Sequence, residues 1–252
     1  MLSVNSLYAG YGKDMVLHDI DFTVSKGEVI SIVGPNGCGK TTLLKAISNI
    51  LKYEGEITFD ECILNNLKRK ELGKKIALLS QTSSSYFSYT IFDSVMLGRY
   101  PYLTGLLSTP RKKDIDIVNN ALKRVGLYES KDKRIDELSG GQLQRVFLAR
   151  TIAQEPDVIL LDEPTNHLDF KYQVEILDFI RKWAKNENKI VIAVLHDLNL
   201  VQKYSDNVIL LNEGKIVLEG KKEKVLSDEL LKSVYEIDIK SWMKDVLTKW
   251  ER

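Results

Sequence analysis

Cysteine is scarce in this sequence of 252 residues, because only Cys38 and Cys62 are present. Two cysteines cannot build the disulfide framework of a small secreted protein, so we expect a reducing compartment. Long apolar runs are missing too, since no stretch approaches the ~18 residues that a membrane-spanning helix needs. Residues 1–12 also lack the basic and then apolar layout of a secretory signal. If the protein works at a membrane, we expect another chain to supply the membrane-spanning part.

The sequence also lacks an excess of charge of either sign. Its 36 Lys and Arg residues offset 35 Asp and Glu residues, which leaves a net charge of +1. We therefore expect no nucleic-acid partner, and we interpret the basic clusters at 68–70, 111–114 and 220–224 as solvated surface. With 44% hydrophobic residues, the chain has the composition of a globular protein that can bury a large core.

Short β-branched runs predict a sheet. Four of them are apolar enough to be buried strands of a mostly parallel sheet, and they lie at 28–34, 75–81, 157–163 and 189–197. The stretch 40–51 has helical spacing and is predicted to place Leu43, Leu44, Ile47, Ile50 and Leu51 on one face. The stretch 170–188 is predicted to be the crossover helix between the third and fourth strands. Residues 207–220 are typical of two strands around an Asn-Glu-Gly turn.

A helical subdomain is predicted to interrupt this α/β core. Residues 1–81 and 138–235 form the predicted core, and residues 82–137 form the insertion. Within the insertion, Ile115, Val118, Leu122 and Val125 have helical spacing, and Gly126 is a suitable C-terminal cap. Residues 236–252 form an amphipathic tail in which Trp242, Val246 and Trp250 recur at every fourth position. We interpret this stripe as the face of a docked terminal helix, with a partner-binding surface as the alternative.

The stretch GPNGCGKT at 34–41 follows a predicted strand, precedes a predicted helix and fits G-x-x-x-x-G-K-[ST] at each fixed position. Glycines let successive N–H groups converge on a phosphate, and the helix N-terminus adds partial positive charge. Lys40 can reach the β- and γ-phosphates, and the Thr41 hydroxyl can ligate Mg²⁺. Because Cys38 lies near this lysine, we predict a lowered thiol pKa and alkylation that ATP slows. The predicted nucleotide-binding residues here are Gly34, Pro35, Asn36, Gly37, Cys38, Gly39, Lys40, Thr41 and Thr42.

Polar residues at the ends of the predicted strands complete a candidate hydrolytic site. Buried carboxylates are costly without a partner or a role. We therefore predict that Asp162 orients Mg²⁺ and that Glu163 polarises the water that attacks the γ-phosphate. His196 ends another strand and is predicted to contact the γ-phosphate. Gln81 is a candidate for contact with Mg²⁺ and the attacking water, although alone it would be interpreted as a plain strand-end residue.

These residues, together with LSGGQ at 138–142, resemble the ATP-binding subunit of an ABC transporter. The order along the chain is also similar to that family: phosphate loop, Gln81, LSGGQ, acidic strand, the segment NHLD at 166–169, and His196. The resemblance implies a P-loop NTPase (RecA-like) core of α/β class. Such a core has a mostly parallel sheet, an N-terminal antiparallel β portion and an inserted helical subdomain. It also implies an ATPase that uses ATP and Mg²⁺.

In that family, the LSGGQ of one subunit faces the phosphate loop of another. The resemblance therefore implies that two copies sandwich two ATP molecules head to tail, and that a monomer is a poor ATPase. The residues implied to bind the ATP of the second copy are Ser139, Gly140, Gly141, Gln142 and Asp169. The resemblance further implies an aromatic residue that stacks on adenine, for which we choose Tyr11 over Tyr8. His167 stands where family members often have a small residue, and its role is left open.

The stretch VMLGRYPYL at 95–103 is similar to subunits that power importers of iron-siderophore, haem, cobalamin and related metal chelates. The resemblance implies a peripheral subunit on the cytoplasmic face of the cell membrane. Its implied partners are a polytopic permease and, indirectly, a substrate-binding protein. Two alternatives stay open, namely a soluble ABC ATPase of iron–sulfur cluster assembly and an ABC importer subunit for another substrate class.

Overall fold

The computed structural model describes residues 1–80, 89–103, 109–166 and 168–250. Its strands are β1 (Leu2–Tyr11), β2 (Asp14–Val24), β3 (Val29–Val33), β4 (Tyr53–Phe59), β5 (Cys62–Ile63), β6 (Ile76–Leu79), β7 (Val158–Asp162), β8 (Ile190–Val194), β9 (Asn207–Asn212) and β10 (Lys215–Lys221). Its α-helices are α1 (Lys40–Ile47), α2 (Arg69–Lys75), α3 (Ile91–Met96), α4 (Lys112–Arg124), α5 (Gly140–Ala153), α6 (Phe170–Asn186), α7 (Leu198–Tyr204), α8 (Lys222–Val225), α9 (Asp228–Tyr235) and α10 (Ile239–Trp250). Single 3₁₀ turns lie at Leu64–Asn66, Tyr128–Ser130 and Ile135–Glu137, and a longer 3₁₀ helix lies at Leu97–Tyr102.

A six-stranded sheet forms the centre of the molecule, in the order β10-β9-β3-β8-β7-β6. Its pairs are parallel except for β10, which joins the edge as an antiparallel hairpin partner of β9. Every residue of β3, β7 and β8 is buried, because helices or the second sheet cover both faces. The predicted mostly parallel sheet is therefore confirmed.

A second, antiparallel sheet lies at the N-terminus, in the order β2-β1-β4-β5. The predicted N-terminal antiparallel portion is thus confirmed. Helix α1 packs in the hydrophobic cluster between this sheet and the central one, where Leu43, Leu44 and Ile47 are fully buried. The phosphate loop that leads into α1 is consequently held between two sheets.

Side-chain alternation along the central strands divides the core into two clusters. In β8, Val191 and Ala193 face the cluster that contains α5, α6 and α7, whereas Ile190, Ile192 and Val194 face the cluster that contains α1. Strand side chains point to opposite faces in turn, so one apolar run can serve both layers. This two-sided burial explains why the strands are apolar throughout.

Between β6 and β7 the chain is helical in the part that the structure describes. Helices α3 and α4 pack on each other and on α5. Arg99, in the 3₁₀ helix that follows α3, is only 2% exposed and links these elements. It donates to the Asp114 carboxylate at 2.9 Å, the Ala153 carbonyl at 2.7 Å and the Glu155 carboxylate at 2.9 Å. The exact boundaries of an inserted subdomain stay a prediction.

The structure corrects the predicted helical faces at two positions. Helix α1 ends at Ile47, and Asn49 then adopts a left-handed conformation with φ of 55°. Ile50 consequently lies outside the helix and is exposed. In α4, Val118 and Leu122 are buried as expected, but Ile115 is exposed.

The tail is a helix, but its docked face differs from the predicted stripe. Ile239 and Met243 of α10 pack against the core cluster, whereas Trp242 is 63% exposed. The interpretation of Trp242 as part of the docked face is therefore wrong. Within the described ranges, no helix is both long enough and apolar enough to cross a membrane.

Candidate functional site

The phosphate loop lies between the end of β3 and the start of α1. The Lys40 ammonium group is buried in the curve of the loop, where it donates to the carbonyls of Gly34 and Pro35, both at 2.8 Å. Gly39 precedes the helix, and no side chain caps its first turn. The first N–H groups of α1 and the lysine therefore converge on one concavity, which is the arrangement that binds phosphate.

Two glycines of this loop have no substitute. Gly34 has φ of 150°, and an added Cβ would lie 2.0 Å from the Leu211 carbonyl oxygen. Gly39 has φ of 108°, and an added Cβ would lie 2.7 Å from the Leu17 side chain. Left-handed backbone and close packing both exclude larger residues here. The motif glycines thus let the loop curl against β9 and the N-terminal sheet.

The predicted low pKa of the Cys38 thiol is wrong. The side chain is only 5% exposed, and burial raises its pKa, because desolvation of the thiolate outweighs the attraction of Lys40. The lysine Nζ donates to Sγ at 4.0 Å, in addition to its shorter hydrogen bonds to the two carbonyls. The sequence shows that Cys38 is close to Lys40 along the chain, but it does not show that the Cys38 side chain points into the core.

Asp162 and Thr41 meet at the carboxyl end of β7. The Thr41 hydroxyl donates to the Asp162 carboxylate at 3.1 Å, and Asp162 is buried. Burial raises the pKa of this carboxyl, while Thr41 and the nearby Lys45 and Lys40 oppose the rise. A hydroxyl and a carboxylate are hard oxygen ligands, which suit Mg²⁺. The two predicted metal residues are therefore brought together.

Glu163 is held at both carboxylate oxygens. One oxygen lies 2.5 Å from Nε2 of His196, and the other accepts a hydrogen bond from the Asn166 side chain. Its backbone has φ of 54°, a conformation uncommon for a non-glycine residue. The structure thus places His196 on Glu163, and it orients the carboxylate beside Asp162 at the same end of the sheet.

The LSGGQ segment begins α5. Ser139 caps this helix, since its Oγ accepts from the Gln142 N–H at 3.3 Å and the Gln142 side chain accepts from the Ser139 N–H at 3.0 Å. Its hydroxyl hydrogen can still be donated to an anion. Ser139 and Gly140 are exposed, so the donors of this helix start are open to solvent.

The remaining predicted residues lie around this centre. Tyr11 is exposed at the end of β1, next to Lys45, whose Nζ lies 5.7 Å from the ring centroid, and Tyr8 is half-buried. Asp169 caps α6 by accepting from the Tyr172 N–H at 3.0 Å. Gln81 and His167 lie outside the described residues.

Two contacts were not anticipated from the sequence. The Asn166 side chain donates a hydrogen bond to the Glu163 carboxylate. The only sequence signal for this contact is the position of Asn166 in the 166–169 segment. Tyr235, at the end of α9, reaches the phosphate loop. Burial raises the pKa of its hydroxyl, and the backbone N–H of Gly34, which faces this oxygen, opposes the rise. No motif in the sequence indicates that the C-terminal segment lies against this loop.

Comparison with known proteins identifies relatives of this arrangement. The family model described as ABC transporter matches residues 17–166. A petrobactin import ATP-binding protein of Bacillus subtilis is 39% identical over 240 residues, which cover 95% of this chain and 94% of the relative. The ferric enterobactin transport ATP-binding protein of Escherichia coli is 36% identical over 230 residues, covering 91% of this chain and 84% of the relative.

Solved structures share the fold. An inward-facing transporter described as of the metal-chelate type superposes with a TM-score of 0.81 at 29% identity, covering 94% of this chain and 89% of that one. The dimeric structure of a bacterial ABC transporter cassette has a TM-score of 0.78 at 30% identity, covering 88% of this chain and 99% of that one. The similarity thus spans nearly all of the chain.

Proposed function

This chain belongs to the ATP-binding proteins of ABC transporters, the ATPases that power transport, and we propose that it hydrolyses ATP to drive import of an iron-siderophore, haem or cobalamin-type metal chelate. One observation carries the ATPase part of this proposal. Lys40 and Thr41 begin α1 after β3, Asp162 and Glu163 lie at the end of β7, and the Thr41–Asp162 hydrogen bond joins the two pairs.

The phosphate loop would bind the triphosphate of ATP through its backbone N–H groups, and Lys40 would exchange its two carbonyl partners for phosphate oxygens. Tyr11, which is exposed, would stack on the adenine ring. Its neighbour Lys45 keeps the ring in place by lying over its face.

Thr41 and Asp162 are the residues that would hold Mg²⁺, and their oxygen atoms fit that ion. Mg²⁺ would neutralise charge that develops on the phosphate oxygens. No group of three or more His, Cys, Asp or Glu side chains in the described ranges forms a metal site by itself. The protein therefore supplies only part of the ligand set, and the nucleotide phosphates would supply more.

Glu163 would polarise the attacking water. In this structure His196 and Asn166 each contact one of its two oxygens, and each oxygen keeps a further lone pair that can accept a proton from water. His196 is the candidate to swing toward the γ-phosphate, because it is the more exposed of the two. Gln81 is proposed to assist from the strand end after β6.

Two copies would complete each site. The helix start at Ser139, Gly140 and Gly141, with Gln142 and Asp169 nearby, would face the γ-phosphate of ATP on the phosphate loop of a second copy. An exposed set of phosphate donors 99 residues beyond Lys40, and lacking a lysine of its own, supports this arrangement. We expect specific activity to rise with protein concentration, and activity strictly proportional to concentration far below the dimer dissociation constant would oppose the proposal.

The cargo class rests on the relatives and on the segment around Arg99. One relative is named for petrobactin import and the other for ferric enterobactin transport, and the similar transporter structure is described as of the metal-chelate type. An added Cβ at Gly98 would lie 2.3 Å from the Arg150 carbonyl oxygen, and Arg99 lies buried among three acceptors. The Gly-Arg pair therefore forms a specific joint within residues 82–100, which we propose contact the permease.

The proposal is tested with tagged Glu163→Gln, extracted with detergent from the membrane fraction of the source cells in the presence and absence of ATP. We expect a polytopic permease to co-purify, encoded beside a substrate-binding protein, at the cytoplasmic face of the membrane. Recovery of soluble iron–sulfur assembly proteins alone would support the soluble ATPase alternative and overturn the transport proposal. A permease paired with an amino-acid or phosphate binding protein would overturn the cargo class only.

A further inference from the structure

The C-terminal segment leaves an open apolar groove beside His196. This tail groove is a cavity of 490 Å³, and its walls come from Tyr235, Ile237, Ile239, Trp242 and Met243 of the tail and from residues 196–199. Ile239 and Met243 are anchored on the core, whereas Ile237 and Trp242 are 61% and 63% exposed. The groove thus has a fixed floor and unburied apolar walls.

A complementary feature projects from the same chain. Phe170, the first residue of α6, is 77% exposed, more than any other large hydrophobic side chain in the described residues. Its neighbour Leu168 is buried, and Asp169 caps the helix, so the local backbone is fixed and the ring points away from the core. A single exposed apolar residue is ordinary. Here, however, the exposed ring stands at a capped helix start, and the same chain carries an apolar groove that a ring can fill.

The tail groove adjoins the catalytic carboxylate, because the Glu163 side chain contacts His196 at the rim of the groove. Phe170 follows Glu163 by seven residues along the chain. A molecule that covers the ATP site would therefore meet the rim of the groove and the segment that leads to Phe170. Under the proposed function, that molecule is a second copy of this chain.

We propose that, when two copies close on ATP, Phe170 of each copy inserts into the tail groove of the other. The contact rests on the proposed ATP-driven dimer and adds to it an apolar anchor outside the nucleotide. A two-fold axis makes such a contact reciprocal, because a protrusion and a recess on one subunit each meet their complement on the second. A buried aromatic ring in a recess is also the usual form of an interface anchor.

The contact can be measured by cross-linking. The background is the full chain with Glu163→Gln, to retain the ATP-bound dimer, and with Cys62→Ser, to remove the exposed native thiol; Cys38 is buried. Phe170→Cys is combined with Ile237→Cys in the tail groove, and a short bis-maleimide is added with or without Mg-ATP. The matched control combines Phe170→Cys with Leu247→Cys, which is 61% exposed on the same tail and lies outside the groove.

We expect a covalent dimer that depends on ATP for the Ile237 pair and is at least ~10-fold weaker for the Leu247 pair. Light scattering on the same samples reports whether a dimer forms at all. A dimer without selective linkage would overturn the Phe170 contact and leave the proposed function intact. Absence of any ATP-dependent dimer would overturn both.

A second measurement avoids introduced cysteines. Phe170→Ala and Trp242→Ala in the Glu163→Gln chain should each weaken ATP-dependent dimerisation by about 10-fold or more, since two rings are buried per dimer. The double variant should be little worse than either alone, because both changes remove one contact. Phe170→Leu should restore much of the affinity, and nucleotide binding to the monomer should not change. The proposal would be overturned if the losses of dimer affinity added up in the double variant, or if neither single variant lost affinity.

Discussion

Glu163 is held at both oxygens by His196 and Asn166, and this clamp defines the chemistry at the scale of single residues. A carboxylate fixed in this way cannot rotate away from the strand end, so its orientation is set before nucleotide arrives. Each oxygen keeps a further lone pair, so the carboxylate can still accept a proton from water. The clamp therefore fixes the direction of the carboxylate and leaves it able to act as a base.

Replacing the base should separate binding from hydrolysis. We expect Glu163→Gln to retain ATP binding while kcat falls by about 10²–10⁴-fold, the usual contribution of a general base. The measurement is steady-state ATPase activity alongside nucleotide affinity. Glu213→Gln, in the turn between β9 and β10, is a control that should keep wild-type values. Wild-type turnover in Glu163→Gln would assign the base elsewhere.

The two thiols should differ in reactivity. Cys38 is buried with a raised pKa, whereas Cys62 is exposed. Since the thiolate is the reactive form, we expect maleimide at neutral pH to label Cys62 fast and Cys38 far more slowly. Mass spectrometry of peptides after timed labelling gives both rates. Equal rates would mean that the phosphate loop opens readily in solution.

At the scale of elements, buried polar ties hold the helical region onto the core. Arg99 joins α4 through Asp114 and the end of α5 through Ala153 and Glu155.

Replacing Arg99 with Met leaves the Asp114 carboxylate buried without its cation. We expect a loss of about 3–5 kcal/mol of unfolding free energy, measured by urea denaturation. Arg124→Met, which breaks an exposed pair with Glu187, should cost at most about 1 kcal/mol. Equal losses would refute a special role for the buried tie.

The ion pair between Arg99 and Asp114 should stabilise the protein less in acid. Burial acts to raise the pKa of Asp114, but the hydrogen bonds from Arg99 and the Arg111 backbone outweigh it and hold the pKa below its ordinary value of 3.8. A depressed folded-state pKa stabilises the protein above the unfolded-state pKa and loses that effect as pH falls through the folded value. We expect the stability difference between wild type and Asp114→Asn to be constant down to about pH 4 and to shrink below it. A constant difference at lower pH would contradict the assigned ion pair.

The elements show which features a sequence can predict. The runs that became β3, β7 and β8 were recognisable because buried parallel strands are apolar at every position. The end of α1 could not be recognised in the sequence. Ile50 continues the apolar spacing beyond the helix, and this spacing conceals the left-handed turn at Asn49. In α10, apolar residues occupy two adjacent faces, and only docking on the core decides that Ile239 and Met243 are the inner ones.

The residues of the candidate site also differ in whether the sequence could predict them. The grouping of Lys40 and Thr41 with Asp162 and Glu163 could be predicted from the phosphate-loop motif and the acidic end of an apolar strand, and their roles toward phosphate and Mg²⁺ stay predictions. Asn166 and Tyr235 could not, because their contacts depend on how distant segments fold against the site. The direction of the Cys38 side chain was likewise set by packing and not by its neighbours in sequence.

At the scale of the whole molecule, the proposed function gives each chain two halves of different sites. The phosphate loop and the acidic strand form one half, and the helix start at Ser139 forms the other. Under the proposed function, a chain with only one of each half needs a second copy to complete either site. This dependence on two copies is the central claim, and it predicts that the halves can be supplied by different chains.

Mixing two inactive variants tests that claim most directly. Lys40→Ala removes the phosphate-binding half, and Gly140→Asp places a negative charge at the second half. Neither homodimer has a complete site, but a mixed dimer has one, so an equal mixture should recover up to about a quarter of wild-type ATPase activity. The control is Lys40→Ala mixed with Gly34→Ala, which damages the same half twice and should recover nothing. Activity in the Lys40→Ala and Gly140→Asp mixture would establish shared sites, whereas no recovery, with mixed dimers shown to form, would contradict the account.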